Sequence, residues 1–184
     1  LISAIYGAEI RGWSARGQKV MVVPLSLIAK SVSQVFFGEF AQVANEDGKS
    51  TIKLFNKMLF SMAAISLPIV VFFAILGPKL IPIIFGEEWL EAGVFMRLLA
   101  PKILLQTIAQ PTGSTLAVLE RQDLHLLREI LRIIVFGALF GLISYFDMPV
   151  EEAILSYSII ASTYYLIYIA ISYFAIKKER VTRY

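Results

Sequence analysis

The chain has 184 residues, of which 58% are hydrophobic and 17% are charged, and its mean hydropathy is +0.73. Soluble domains average about 45–50% apolar and about 25% charged residues, so this composition predicts an integral, all-α membrane protein. The net charge of +3 is modest and the basic residues are not clustered, which excludes a nucleic-acid patch. The absence of cysteine excludes disulfides, thiolate catalysis and cysteine-ligated metals.

The first predicted span covers residues 17–44, which is long enough for the roughly 20 residues that cross a bilayer as a helix. Six polar residues recur at helical spacing and therefore share one face: Arg16, Lys19, Ser26, Lys30, Ser33 and Gln34. Lys30 lies near the middle of the span, where an unpaired ammonium is costly, so we expect it to face protein or a water-filled cavity. Snorkelling toward an interface and pairing within the bundle are the alternative interpretations.

The second predicted span covers residues 55–76 and contains no charge, which is typical of a scaffolding or lipid-facing helix. The dipeptide Gly77-Pro78 predicts its end. Residues 80–93 are too few and too acidic to cross the membrane. We interpret them as an interfacial turn, with Trp89 at the membrane boundary.

The third predicted span covers residues 94–119 and carries a second polar face. Lys102, Gln106 and Gln110 recur every four residues, and the prolines at 101 and 111 should bend the helix. Polar side chains on one face of a membrane helix favour a cavity. The alternative is plain hydrogen bonding between helices by the glutamines.

The fourth and fifth predicted spans cover residues 130–146 and 153–176. A charged connection precedes the fourth span, and we interpret its histidine, His125, as solvated. Gly137 and Gly141 form a GxxxG pair, which favours close helix packing. The tyrosines of the fifth span are typical of local packing and hydrogen bonding.

The distribution of basic residues predicts the orientation of the chain. The tail after residue 176 is basic and therefore belongs in the cytoplasm. Counting back through five spans places the acidic connections outside. The connections that contain Lys49, Lys53, Arg121 and Arg128 then lie inside. The pattern is consistent across all five predicted spans.

The sequence contains no motif of a known catalytic site. It has no P-loop, no dinucleotide-binding glycine fingerprint, no HExxH and no G-x-S-x-G. No cluster of histidine and carboxylate residues has metal-ligand spacing. A transporter needs instead a polar cavity between bent membrane helices, and the two polar faces together with the prolines favour that class.

Three stretches carry a resemblance to a known family: GWSARGQKVMVVPLSLIAKSVSQVFFGEFAQ at residues 12–42, the loop NEDGK, and IFGEEWLEAGVFMRLLAP at residues 84–101. In order and spacing they resemble the polysaccharide flippases. These are O-antigen-type translocases of the multidrug/oligosaccharidyl-lipid/polysaccharide exporter superfamily. The resemblance covers most of the chain. It implies that residues 1–184 form one C-terminal helical lobe and that the N-terminal lobe is missing from this sequence.

The resemblance also implies a function. Family members are transporters of the bacterial plasma (inner) membrane rather than enzymes, and they work by alternating access. They carry an undecaprenyl-diphosphate-linked oligosaccharide from the cytoplasmic to the periplasmic leaflet. The implied partners are this lipid-linked substrate, membrane lipids, a coupling ion (H⁺ or Na⁺) and other polysaccharide assembly proteins. No cofactor is implied.

A diphosphate headgroup that crosses hydrocarbon requires cations and hydrogen-bond donors to replace its hydration. The two polar faces offer these groups, and we predict a substrate-binding cavity formed by Arg16, Lys19, Lys30, Gln34, Lys102, Gln106 and Gln110. We predict no catalytic residue and no metal ligand.

Four other interpretations remain open at this point. One is a structural membrane fragment without transport, which would not need aligned polar faces. A multidrug or organic-cation antiporter of the same superfamily would require acidic residues inside the spans, whereas these spans carry basic ones. A lipid II flippase would share the cationic cavity. A membrane glycan ligase or polymerase would require a large extracytoplasmic loop with a catalytic arginine or histidine, and the sequence offers none.

Overall fold

The computed structural model describes residues 8–43, 48–119 and 121–182. These ranges are almost entirely helical and contain no β-strand, which confirms the prediction of an all-α protein. The α-helices are α1 (Ala8–Val43), α2 (Gly48–Phe85), α3 (Leu90–Ala109), α4 (Thr112–Val118), α5 (Gln122–Tyr145) and α6 (Val150–Thr182). One turn of 3₁₀-helix (Glu87–Trp89) lies between α2 and α3.

Within the described part of the chain, three helical stretches are long and apolar enough to cross a membrane: Ser50–Phe85, Glu87–Ala109 and Val150–Lys178. A helix satisfies its backbone hydrogen bonds internally, which the bilayer requires because lipid chains offer no donors or acceptors. The spans predicted over residues 17–44 and 130–146 coincide with α1 and α5. Since these two helices are not among the three, their crossings stay predictions.

The predicted end of the second span at Gly77-Pro78 is wrong, because α2 continues through Pro78 and Pro82 to Phe85. A proline is tolerated inside a membrane helix where neighbouring groups compensate for its missing N–H. The chain turns at Gly86 instead, which has a φ of 102°. This positive φ suits glycine because it has no Cβ.

Helix α3 forms the centre of the bundle, where it packs against α1, α2 and α6. Its close approach to α2 depends on Gly93, since a Cβ there would lie 2.8 Å from the Cα of Pro78. The main buried cluster joins these four helices: Leu25, Val70, Ile81, Ala92, Phe95, Met96, Leu99, Ala100, Ile103 and Ile154. Much of the stabilisation by packing therefore depends on α3.

The third predicted span is broken where Pro111 predicted a bend. Helix α3 ends at Ala109 and α4 begins at Thr112, whose hydroxyl donates a hydrogen bond to the Ala109 carbonyl (2.6 Å). A proline has no N–H with which to continue the helical ladder. The break leaves Gln110 at the C-cap of α3, where it lines a polar pocket.

Helix α5 packs far less closely. Only Leu139 and Ile143 are buried among its residues, both in a small cluster with Ala153 of α6. No heavy atom outside the local backbone lies within 4 Å of a Cβ built on Gly137 or Gly141. In the described ranges, the GxxxG pair therefore does not form the close helix contact that the sequence favoured.

Candidate functional site

A polar pocket of about 440 Å³ lies between α1, α3, α4, α5 and α6. Its lining contains basic, amide and aromatic side chains, although the helices around it are largely apolar. The lining residues are Val22, Ser26, Gln106, Ala109, Gln110, Gly113, His125, Arg128, Arg132, Tyr164, Tyr165 and Tyr168. Most of the polar lining residues come from α3, α5 and α6.

Helix α5 contributes a basic row to the pocket. His125, Arg128 and Arg132 are separated by three and four residues, so they lie on one face of the helix. Sequence interpretation assigned His125 to a connection between spans, but α5 begins at Gln122 and includes it. His125 is exposed, as predicted, and it also lines the pocket.

Arg128 is the most constrained member of this row, with a side chain that is 16% exposed. Its guanidinium carbon lies 4.4 Å from the ring centroid of Tyr168, a cation–π geometry. One terminal nitrogen donates to the Glu129 carboxylate and lies 3.1 Å from the Nε2 atom of His125. Among the described residues, no acceptor is bonded to its buried Nε–H. This donor is therefore enclosed by protein and unsatisfied.

The carboxylates near the basic row compensate only part of its charge. Glu129 forms ion pairs with Arg128 and, at 2.5 Å, with Arg132. At the start of α5, Arg121 donates two hydrogen bonds to Asp123, and this contact holds the pKa of that exposed carboxyl at about 2. Glu129 alone faces two guanidinium groups, so the pocket keeps a net positive charge and favours anions.

Three tyrosines of α6 cover the opposite side of the pocket. Tyr164 and Tyr165 pack edge to face with ring centroids 5.5 Å apart, and the buried Tyr168 supports Arg128. A tyrosine offers both a flat apolar face and a hydroxyl that donates and accepts hydrogen bonds. The site therefore combines positive charge with groups suited to a polyhydroxylated ligand.

Two of the predicted cavity residues, Gln106 and Gln110, do line this pocket, and Ser26 of the first polar face lies with them. The four-residue spacing brings both glutamines to the α5 side of α3. Their amides add donors and acceptors next to the basic row. The basic row itself was missed, although the spacing of His125, Arg128 and Arg132 signalled a helical face.

Lys102 lies on the same helix as the glutamines but not in the lining of the pocket. Its residue is only 5% exposed, and its Nζ lies 5.9 Å from the ring centroid of Tyr157. No carboxylate of the described ranges forms an ion pair with it. Lys102 is thus enclosed by protein. The sequence predicted such an environment, protein or a water-filled cavity, for Lys30, which is exposed on the described α1.

The remaining candidates belong to α1, and none of them is among the residues that line the pocket. Lys19, Lys30 and Gln34 are exposed, while Leu25, Ala29, Phe36 and Phe40 form the buried face of this helix. The side chain of Arg16 lies outside the described part of the chain. The structure therefore does not place Lys19, Lys30 and Gln34 in the pocket with the glutamines. The role of all four residues in binding stays a prediction. No cluster of metal-ligating residues occurs in the described ranges.

Comparison with known proteins gives a consistent picture. Residues 1–94 match the family described as "Polysaccharide biosynthesis protein". The chain is similar to the lipopolysaccharide biosynthesis protein WzxC of Escherichia coli (strain K12), with 27% identity over 124 residues. It is also similar to the teichuronic acid biosynthesis protein TuaB of Bacillus subtilis (strain 168), with 30% identity over 125 residues.

A third similar protein is an uncharacterized membrane protein in the cps region of Klebsiella pneumoniae, with 24% identity over 136 residues. The three alignments cover 67%, 67% and 74% of this chain but only 25%, 26% and 28% of the relatives. The chain thus matches about a quarter of the length of these curated relatives. No solved structure matches it significantly.

Proposed function

Because the chain belongs to the polysaccharide biosynthesis protein family, we propose that it forms part of a transporter that flips a lipid-linked oligosaccharide across the bacterial inner membrane. The substrate would be an undecaprenyl-diphosphate-linked glycan, moved from the cytoplasmic to the periplasmic leaflet by alternating access. The names of two relatives, which refer to lipopolysaccharide and teichuronic acid biosynthesis, agree with a glycan substrate. Transport, rather than bond formation, is the activity we propose.

The observation that carries this proposal is the polar, positively charged pocket in a bundle of apolar helices. A glycan and its diphosphate lose their hydration inside a membrane, so they need donors, acceptors and cations there. Gln106 and Gln110 offer the amides, Arg128 offers the charge and the tyrosines offer hydroxyls. The predicted orientation places the start of α5, and hence this pocket, toward the cytoplasmic side, where the substrate is loaded.

The lysines and the first polar face have a separate proposed role. Lys102 is enclosed within the bundle, and Lys30 and Gln34 lie on an exposed face of α1. In a two-lobed transporter, that face would lie toward the other lobe and line the translocation path. A coupling ion, either H⁺ or Na⁺, would then drive the alternation between inward- and outward-open states.

The test is deletion of the full-length gene in its own host. Lipid-linked oligosaccharide on the inner leaflet and polysaccharide at the surface are then quantified together. Accumulation inside with loss outside is the expected result, and complementation by the full-length gene should restore both. Unchanged glycan with altered drug sensitivity would refute the flippase and support an organic-cation antiporter. Accumulation of lipid II in place of the oligosaccharide would support the peptidoglycan branch.

A further inference from the structure

A groove of about 370 Å³ lies between α1 and α2, and it shares no lining residue with the polar pocket. Its inner wall is apolar, because Phe36 and Met58 are both buried there. Its outer side is open, since Val35 is 64% exposed. Because α2 contains a candidate membrane span, lipid chains are available to this open side. The lining residues are Ser31, Val32, Val35, Phe36, Glu39, Leu54, Lys57, Met58 and Ser61.

The groove carries one acid and one base that are not paired with each other. Glu39 and Lys57 both line it, and both side chains are exposed. Neither of them forms an ion pair or a side-chain hydrogen bond with any residue that the structure describes. Charged side chains of membrane helices are usually paired. The two opposite charges beside an apolar wall therefore favour a ligand that carries both complementary charges.

The two charges also lie at different depths along the helices. Glu39 lies four residues before the end of α1, and Lys57 lies nine residues after the start of α2. Since α1 ends and α2 begins at the same connection, the backbone of Lys57 lies deeper by about five residues, or about 7 Å of helix. In a zwitterionic phospholipid the phosphate lies next to the apolar chains and the ammonium lies beyond it. The order of the two side chains therefore matches the order of such a headgroup.

We propose that the α1–α2 groove binds one molecule of phosphatidylethanolamine from the surrounding bilayer. Its phosphate pairs with Lys57, its ammonium pairs with Glu39, and one acyl chain lies along Phe36 and Met58. The predicted orientation places the connection between α1 and α2 inside, so this lipid belongs to the cytoplasmic leaflet. The site is separate from the polar pocket, and it does not depend on which molecule is transported.

Two other common phospholipids match these charges less well. Phosphatidylglycerol has a phosphate but no cation, so Glu39 would stay unpaired and would repel it. Phosphatidylcholine has both charges, but its trimethylated nitrogen has no N–H to donate to a carboxylate. The primary ammonium of phosphatidylethanolamine has three such donors, and a hydrogen bond between two ionised groups is stronger than a neutral one. The carboxylate of Glu39 therefore determines which headgroup is preferred.

The test measures lipid binding to the full-length protein in detergent by native mass spectrometry. The probes are phosphatidylethanolamine, phosphatidylcholine and phosphatidylglycerol with identical acyl chains. Phosphatidylethanolamine should bind about threefold to tenfold more tightly than the other two, the effect of one charge-assisted hydrogen bond at a partly exposed site. Glu39→Gln should remove this preference, and Lys57→Gln should weaken all three lipids, which share the phosphate. Lys53→Gln is the matched control, since Lys53 is an exposed base of α2 that does not line the groove.

A second pair of variants tests the groove itself. Val35→Trp should fill the groove and weaken phosphatidylethanolamine, whereas Val23→Trp, at an exposed position of α1 outside the groove, should leave its affinity unchanged. Equal binding by these two variants would overturn the proposal, because the lipid would then lie elsewhere or another part of the full-length protein would cover the groove. Equal affinity of the wild type for the three lipids, or a preference that survives Glu39→Gln, would overturn it as well. None of these measurements involves transport, so their outcome is independent of the proposed function.

Discussion

Helices α3 and α5 have similar lengths but opposite roles in the bundle. Of the 20 residues of α3, ten are buried, whereas α5 buries two of its 24. Helix α3 packs against three long helices through Ala92, Gly93 and Ala100, whose small size permits close approach. Helix α5 lies mainly against α6, and its aliphatic side chains, such as Ile133 and Ile134, are exposed.

The difference shows how the candidate site is built. The amides of the pocket come from the firmly packed α3, and its charges come from the loosely packed α5. Few buried contacts resist a displacement of α5, so a shift of its basic row costs less than a shift of the glutamines. One wall of the pocket is therefore fixed, and the charged wall is the one that can adjust to a ligand.

The largest expected effect on stability compares one glycine substitution in α3 with one in α5. Gly93→Ala should lower the stability of the bundle by roughly 1–3 kcal/mol, because its methyl group would meet the backbone of Pro78 at 2.8 Å. Gly137→Ala should cause no loss, since that position is open, and α-helix propensity favours alanine by up to about 1 kcal/mol. Thermal unfolding of the full-length protein in detergent measures both. Equal midpoints for the two variants would contradict the assignment of α3 as the packed centre.

The next effect concerns transport. Lys102→Gln, which removes a buried charge with little change of length, should slow polysaccharide export without preventing membrane insertion. Lys30→Gln should do the same if the exposed face of α1 lines the path. Arg97→Gln is the matched control on α3, because Arg97 is an exposed cation that does not line the pocket. Wild-type export by both lysine variants would refute a cationic translocation path.

Much of the fold follows from the sequence, because long apolar segments in a membrane must be helical. The break near Pro111 was also predictable, since a proline cannot donate the next helical hydrogen bond. The continuation of α2 through Gly77 and Pro78 was not. It occurs in a segment that packs closely on Gly93, a tertiary contact that local turn signals do not contain.

The site was half predictable for a related reason. Periodicity shows which residues share a face: of the predicted group, Gln106 and Gln110 line the pocket and Lys102 does not. It does not show which neighbour that face meets, and Lys30 therefore joined a predicted cavity although the described α1 exposes it. The basic row was hidden by its position, because a charged stretch before an apolar one was interpreted as a connection rather than as the first turns of α5.

A smaller effect tests how α5 is held. Tyr168→Leu removes the ring beneath Arg128, and with it a cation–π contact of about 0.5–2 kcal/mol. Hydrogen exchange should then increase in the first half of α5 and remain unchanged in α3. Tyr168→Phe keeps the ring and serves as the control, with exchange close to that of the wild type. Faster exchange in α3 would show that the two helices are coupled rather than independently packed.

The smallest effect is expected at the exposed start of α5, where Arg121 pairs with Asp123 at 2.8 Å. The hydrogen bond from Arg121 lowers the pKa of Asp123 from 3.8 to about 2. The pair therefore stabilises the folded state fully at pH values above 3.8, and this contribution is lost as the pH falls through about 2. Solvent screens an exposed pair, so Asp123→Asn should shift the unfolding midpoint less than Tyr168→Leu. The shift should be the same at neutral pH and at about pH 5, because the carboxylate stays ionised at both. A shift larger than that of Tyr168→Leu would mean that α5 is anchored at its charged end rather than through Tyr168.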